Sequence, residues 1–181
     1  MSDDKKPLYP FPLRRPDDPS FAILRAWWNG LEDDKGERAA LRRASNLTGV
    51  MLSPSFHRLL NDLRRAGFSI PERRYPKLAA IAGLAARVKS DDGKSLATSM
   101  GSSTSGGGKA AVSELRMRRL LACDDIDELH MLLRRALALI DNRANFADLA
   151  STIWNWVPMD EKRPNDPRRQ MAYDYYDVAP V

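Results

Sequence analysis

The 181-residue sequence predicts an all-α fold: two small helical bundles joined by a flexible Ser/Gly-rich loop. Three observations lead there. Apolar residues recur at three- and four-residue spacing through most segments, as one face of a helix requires. Helix-opening signals recur along the chain, with Asp, Ser or Asn placed just before an apolar period or a proline. No alternating run of β-branched residues is long enough to predict a strand.

Residues 1–18 carry Pro7, Pro10, Pro12 and Pro16 and predict an extended, partly mobile arm. Asp18 followed by Pro19 predicts a cap and a first-turn proline. The helix they open runs to about Asn29–Gly30, with Phe21, Leu24, Trp27 and Trp28 turned inward. A second helix covers about Asp34 to Ala44. Ser53–Pro54 opens a third, which ends at Gly67. Tyr75–Pro76 opens a fourth, PKLAAIAGLAARVK. It is apolar nearly all round and belongs at the centre of the first bundle.

Residues 90–110, SDDGKSLATSMGSSTSGGGKA, are rich in Ser, Thr and Gly and lack a hydrophobic period, which predicts a flexible loop or linker. A helix from about Ala111 to Ala122 follows. Asp125 and Glu128 form a capping box for the next, which reaches Ile140. Another spans about Asn145 to Trp156, and a last one runs from Asp166 to about Tyr176. The reading totals about eight helices. It divides the chain into an arm (1–18), an N-terminal bundle (19–90), a loop (91–110) and a C-terminal bundle (111–181).

A net charge of +5, a pI near 9.5 and a mean hydropathy of −0.48 predict a soluble, basic chain that favours polyanionic partners. One cysteine, Cys123, allows no disulfide within the chain and fits a reducing cytoplasm. The opening residues lack the apolar run of a signal peptide, and no stretch approaches the ~18 apolar residues of a membrane span. A cytoplasmic location and no membrane partner are expected.

Few residues point to catalysis. GGGK at 106–109 lacks a phosphate-loop pattern, because Ser103 and Ala110 stand where glycine and Ser/Thr are needed. His57 and His130 have no second Cys or His nearby in sequence, so no metal site is expected. Asp124, Asp125, Asp127 and Glu128 precede and open a helix, where negative charge suits the helix dipole. Cys123 is expected as a buried thiol. The four tryptophans are expected mainly in the core, with base stacking as the rival role. No cofactor, metal or catalytic residue is expected.

The arginines are the distinctive feature. They outnumber lysines 21 to 8 and include seven adjacent doublets: 14–15, 42–43, 64–65, 73–74, 118–119, 134–135 and 168–169. A guanidinium fork is planar, always charged, and matches phosphate oxygens two at a time. Arg116 and Arg119 are three apart and share a helix face. Arg134 and Arg135 fall opposite the apolar face of their helix. Arg168 and Arg169 lie in a first turn, where cations oppose the helix dipole. The rival role for any one doublet is a solvated helix face with local ion pairs.

The order of these segments resembles the CasB family, the small subunit of type I-E CRISPR Cascade complexes. The resemblance rests on FAILRAWWNGL, ALRRAS, SPSFHRLL, PKLAAIAGLAARVK, the SLATSMG loop and VSELRMRRLLACDDIDELHMLLRRALALI. The tail segments NFADLASTIWNWVP and RRQMAYDYY complete it, so it covers roughly residues 20–177. It implies an all-helical, non-catalytic protein that partners crRNA, target DNA, other Cascade subunits and a second copy of itself. It further implies backbone contacts that stabilise the opened target, including the displaced strand. By motif, the contact residues are Arg43, Arg116, Arg119, Arg134 and Arg135, with Lys94 from the loop before SLATSMG. Arg168 and Arg169 match a basic segment of the family more loosely. Two alternatives remain open. One is an architectural subunit whose arginines meet acidic protein surfaces. The other is an independent helix-turn-helix regulator, which would need a base-reading helix.

Overall fold

The structure, a computed structural model, describes residues 9–10, 18–103, 108–156 and 166–180. Ten α-helices occur among them: α1 (Pro19–Asp33), α2 (Lys35–Arg43), α3 (Leu47–Met51), α4 (Pro54–Arg65), α5 (Tyr75–Ala85), α6 (Leu96–Gly101), α7 (Glu114–Leu121), α8 (Ile126–Leu139), α9 (Phe146–Asn155) and α10 (Pro167–Val178). The fold is all-α, as expected. In the arm, β1 (Tyr9–Pro10) forms a parallel pair of two-residue strands with β2 (Phe68–Ser69).

Local chemistry sets most helix starts. Asp34, Asn46, Ser53, Ser95, Asp125, Asn145 and Asp166 each accept a backbone N–H from the first turn they precede. Such a bond satisfies a donor that the helix itself leaves without a partner. At the other end of α8, Asp141 and Asn142 adopt left-handed φ values of 56° and 57°. The Asn142 N–H then donates back to the Leu137 carbonyl at 2.8 Å, which closes the helix.

Helix α5 lies at the centre. Leu78 through Ala85 are all buried, as the all-round apolar sequence requires. It packs against α3, α8 and α9, so one helix joins the two halves of the chain. The Trp28 indole donates to the Ala85 carbonyl at 2.9 Å, and its ring stacks on Phe146 with centroids 4.5 Å apart. Asp91 adds a polar tie. One oxygen accepts the Phe146 N–H at the start of α9, and the other pairs with Arg25 of α1 at 2.7 Å.

Two helices, α3 and α6, were not expected from the sequence. Helix α6 falls inside the stretch read as a flexible loop. Leu96, Ala97, Met100 and Gly101 are buried, and α6 packs closely on α10. A β-carbon on Gly101 would stand 2.6 Å from the Tyr175 carbonyl oxygen, so this approach needs glycine. Asp148 of α9 accepts the Leu96 N–H at 2.7 Å. Residues 104–107, in the same predicted loop, lie outside the described residues.

Candidate nucleic-acid interface

Helix α7 turns Met117 and Leu120 into the core. That places Arg116 and Arg119 together on the outer flank, three residues apart. Helix α8 buries Leu129, Leu133, Ala136 and Leu137, and presents Arg135 to solvent beside them. Arg116, Arg119 and Arg135 line one hollow of about 140 Å³, floored by Leu120 and Leu132. Arg119 and Arg135 also line a second hollow of about 310 Å³, which reaches Ser45 and Asn46 in the turn between α2 and α3. The two hollows form one groove along α8, with Arg119 and Arg135 at their junction.

Three arginines face two carboxylates along the groove. Arg119 pairs with Glu128 at 3.0 Å, but both side chains are substantially exposed, at 64% and 43%. Such a pair is screened by water and leaves the cation available. Arg116 and Arg135 have no ion pair with a described carboxylate. Asp127 and Glu128 also line the larger hollow and offset part of its positive charge. Arg118, on the other flank of α7, pairs with Glu114. The Tyr176 hydroxyl and Glu114 together hold its guanidinium pKa above the usual arginine value.

Beside the groove lies a second group of cations. Arg134 is half-buried rather than fully solvated. Its charge, and that of Arg42 of α2, bear on Arg87, which follows the end of α5. The Arg87 guanidinium donates to the Arg42 carbonyl. Burial and the two neighbouring cations lower the Arg87 pKa. His130, one turn before Arg134, is buried. Desolvation, then Arg134 and Arg87, push its pKa down to about 4, so it is neutral at neutral pH. Sequence reasoning missed Arg87, because it is a single arginine closing an apolar helix.

Arg168 requires a correction. It was expected to contact nucleic acid, but its side chain is only 7% exposed. Its guanidinium donates to the Leu121 carbonyl at 2.9 Å and the Cys123 carbonyl at 2.7 Å. It also pairs with Asp124 at 2.9 Å and Asp166 at 3.3 Å, and lies 4.3 Å from the centroid of the Trp156 ring. These partners occupy its donors and lock the start of α10 onto the end of α7. A first-turn cation is tolerated there because two carboxylates offset it.

The other expected residues are scattered. Arg43 is exposed at the end of α2, two residues before the turn that edges the groove. Lys94 is exposed and lines a separate 360 Å³ hollow with Arg143, Ser99 and Ser102, which Asp92 and Asp141 also enter. Arg169 is exposed in the first turn of α10. Neither hollow of the α7–α8 groove is lined by Lys94 or Arg169. All four tryptophans are buried, and Trp27, Trp28 and Trp156 donate to backbone carbonyls. They serve the core rather than stacking. Cys123 is buried, and desolvation raises its thiol pKa to about 11. Among the described residues, no helix is long and apolar enough to cross a membrane.

The geometry defines a small all-helical protein that presents an arginine-lined groove on one flank. The profile of CRISPR-associated protein Cse2 matches residues 37–176, and the chain belongs to that family. Two solved structures share the fold. CasB from Thermus thermophilus superposes with a TM-score of 0.66 at 23% identity, covering 88% of this chain and 98% of its own. A chain of E. coli Cascade bound to a PAM-containing dsDNA target gives 0.60 at 20% identity, covering 87% and 94%. No curated protein sequence matches.

Proposed function

We propose that this chain is a non-catalytic subunit of a type I-E CRISPR surveillance complex in the cytoplasm. In this reading it works beside crRNA, target DNA, other Cascade subunits and a second copy of itself. It holds an opened nucleic-acid strand by backbone electrostatics. The observation that carries the reading is the convergence of Arg116, Arg119 and Arg135 from two helices on one groove, with a single exposed ion pair among them. Family membership and the fold shared with a Cascade chain support the assembly.

The mechanism follows from charge. Guide–target pairing reads sequence, and opening the duplex against a guide is nearly balanced in energy. Cations that hold the displaced strand tip that balance without reading bases. If about four to six phosphates are engaged, log K falls against log salt with a slope near −3 to −4. Arg43 extends the groove toward α2, while Lys94 and Arg169 serve as outlying contacts.

The test is the double reversal Arg116→Glu/Arg135→Glu in the reconstituted complex, read two ways. The expected result is normal assembly with weakened retention of the opened target. Failed assembly would favour the architectural reading, with the arginines meeting acidic protein surfaces. Normal assembly with normal retention would remove the groove from the account.

A further inference from the structure

We propose that Tyr175 of α10 is a positioning residue for the groove: through Val112 it fixes where α7 begins, and so where Arg116 and Arg119 stand. The proposal deepens the strand-holding reading of that groove and rests on it. Seven helices of this chain open on a side chain that accepts a first-turn N–H. Helices α1 and α5 open instead with a first-turn proline. Helix α7 has neither device, because Ser113 precedes it without making a capping bond. Its start is held from outside. The Tyr175 hydroxyl donates to the Val112 carbonyl at 2.7 Å, and the Val112 N–H donates to the Met100 carbonyl of α6 at 2.9 Å. Both backbone polar groups of the residue two before α7 are thus tied.

The donor is itself rigidly placed. Tyr175 is buried, and a β-carbon on Gly101 of α6 would stand 2.6 Å from its carbonyl oxygen and 3.2 Å from its ring. Desolvation raises the phenol pKa, so the hydroxyl stays a donor. The adjacent Tyr176 adds a second contact. Its hydroxyl lies 3.4 Å from the Glu114 carboxylate in the first turn of α7, and the two tyrosine rings meet edge to face with centroids 5.1 Å apart. Two things tie this clasp to the groove rather than to the core alone. Val112 lines the same hollow as Arg116, Arg119 and Arg135, so the bond from Tyr175 acts on the groove wall. Register also matters there. A slip of one residue at the start of α7 turns the helix by about 100° and would carry Arg116 and Arg119 off the groove.

The test uses Tyr175→Phe, which keeps the buried ring and removes only the hydroxyl, alone and in an Arg116→Gln/Arg119→Gln background. Two quantities are read: the thermal midpoint of the full chain, and retention of a labelled target duplex by the reconstituted complex across a salt series. Alone, Tyr175→Phe is expected to lower the midpoint by about 2–4 °C and to weaken retention about fivefold. The salt slope should become shallower by about 0.7 for each cation that leaves the strand. In the arginine-deficient background the midpoint drop should recur, while retention falls no further. A lower midpoint with unchanged retention and slope would make the hydroxyl structural and overturn the proposal. An equal loss of retention in both backgrounds would place its effect away from Arg116 and Arg119, and would overturn the proposal too. Both of those results leave the strand-holding reading intact. If Arg116→Gln/Arg119→Gln itself cost no retention, that reading would fall and the proposal with it.

Discussion

Arg135 and Arg168 both belong to arginine doublets on helices, yet the fold treats them in opposite ways. Arg168 is enclosed by two carboxylates, two backbone carbonyls and the Trp156 ring. Arg135 stands over a groove with no described ion pair. The first arginine is a fastener between α7 and α10. The second is an exposed cation with no ion pair among the described residues. The contrast teaches that arginine content alone says little about binding. What separates the two arginines is whether folding encloses the guanidinium among partners or leaves it exposed.

Removing the fastener should have the largest effect on stability. Arg168→Ala removes the guanidinium that Asp166, Asp124 and the Leu121 and Cys123 carbonyls share, and should cost about 3–5 kcal/mol in denaturant unfolding. A loss below about 1 kcal/mol would mean that the lock holds little. Acid should act next, through His130. Its folded pKa is about 4, against about 6.5 for an unfolded histidine. The unfolded chain therefore takes up the proton first. Stability from this group is complete above about pH 6.5 and falls as pH drops toward 4. The loss should be on the order of 2–3 kcal/mol. His130→Gln should flatten the stability curve over that interval. An unchanged curve would mean that the imidazole is not desolvated.

The α6–α10 contact should respond by about 1–3 kcal/mol. Gly101→Ala forces a β-carbon against the Tyr175 backbone, and the thermal midpoint should drop. The smallest effect on stability is expected at the groove. Arg116→Glu/Arg135→Glu should change unfolding free energy by less than about 0.5 kcal/mol while weakening strand retention. If the groove pair destabilised the fold as strongly as Arg168→Ala, the distinction between the two kinds of arginine would collapse.

Local signals were legible in the sequence wherever they were self-contained. The all-round apolar stretch of α5 does occupy the centre, and Asp125 does accept the Glu128 N–H. The reciprocal half of that capping box is diverted, because the Glu128 carboxylate pairs with Arg119. Helix α6 was not legible. It has six residues and is buried by α10, whose sequence lies far downstream. Arg168 was misread for the same reason: its carbonyl and Asp124 partners lie 44–47 residues earlier. The shared face of Arg116 and Arg119 was legible from helix spacing, whereas the hollow they line with Arg135 depends on how α7 meets α8. The surroundings of Arg87 were not legible, because the Arg42 carbonyl that accepts from it lies 45 residues earlier.

The most direct measurement is crosslinking of labelled nucleic-acid strands to this chain within the reconstituted complex, with the modified peptides identified by mass spectrometry. Adducts should concentrate on the peptides of α7 and α8 that carry Arg116, Arg119, Arg134 and Arg135, and should include the displaced strand. Adducts confined to the segments of Lys94 and Arg169, or none on this chain, would contradict a strand held in the groove.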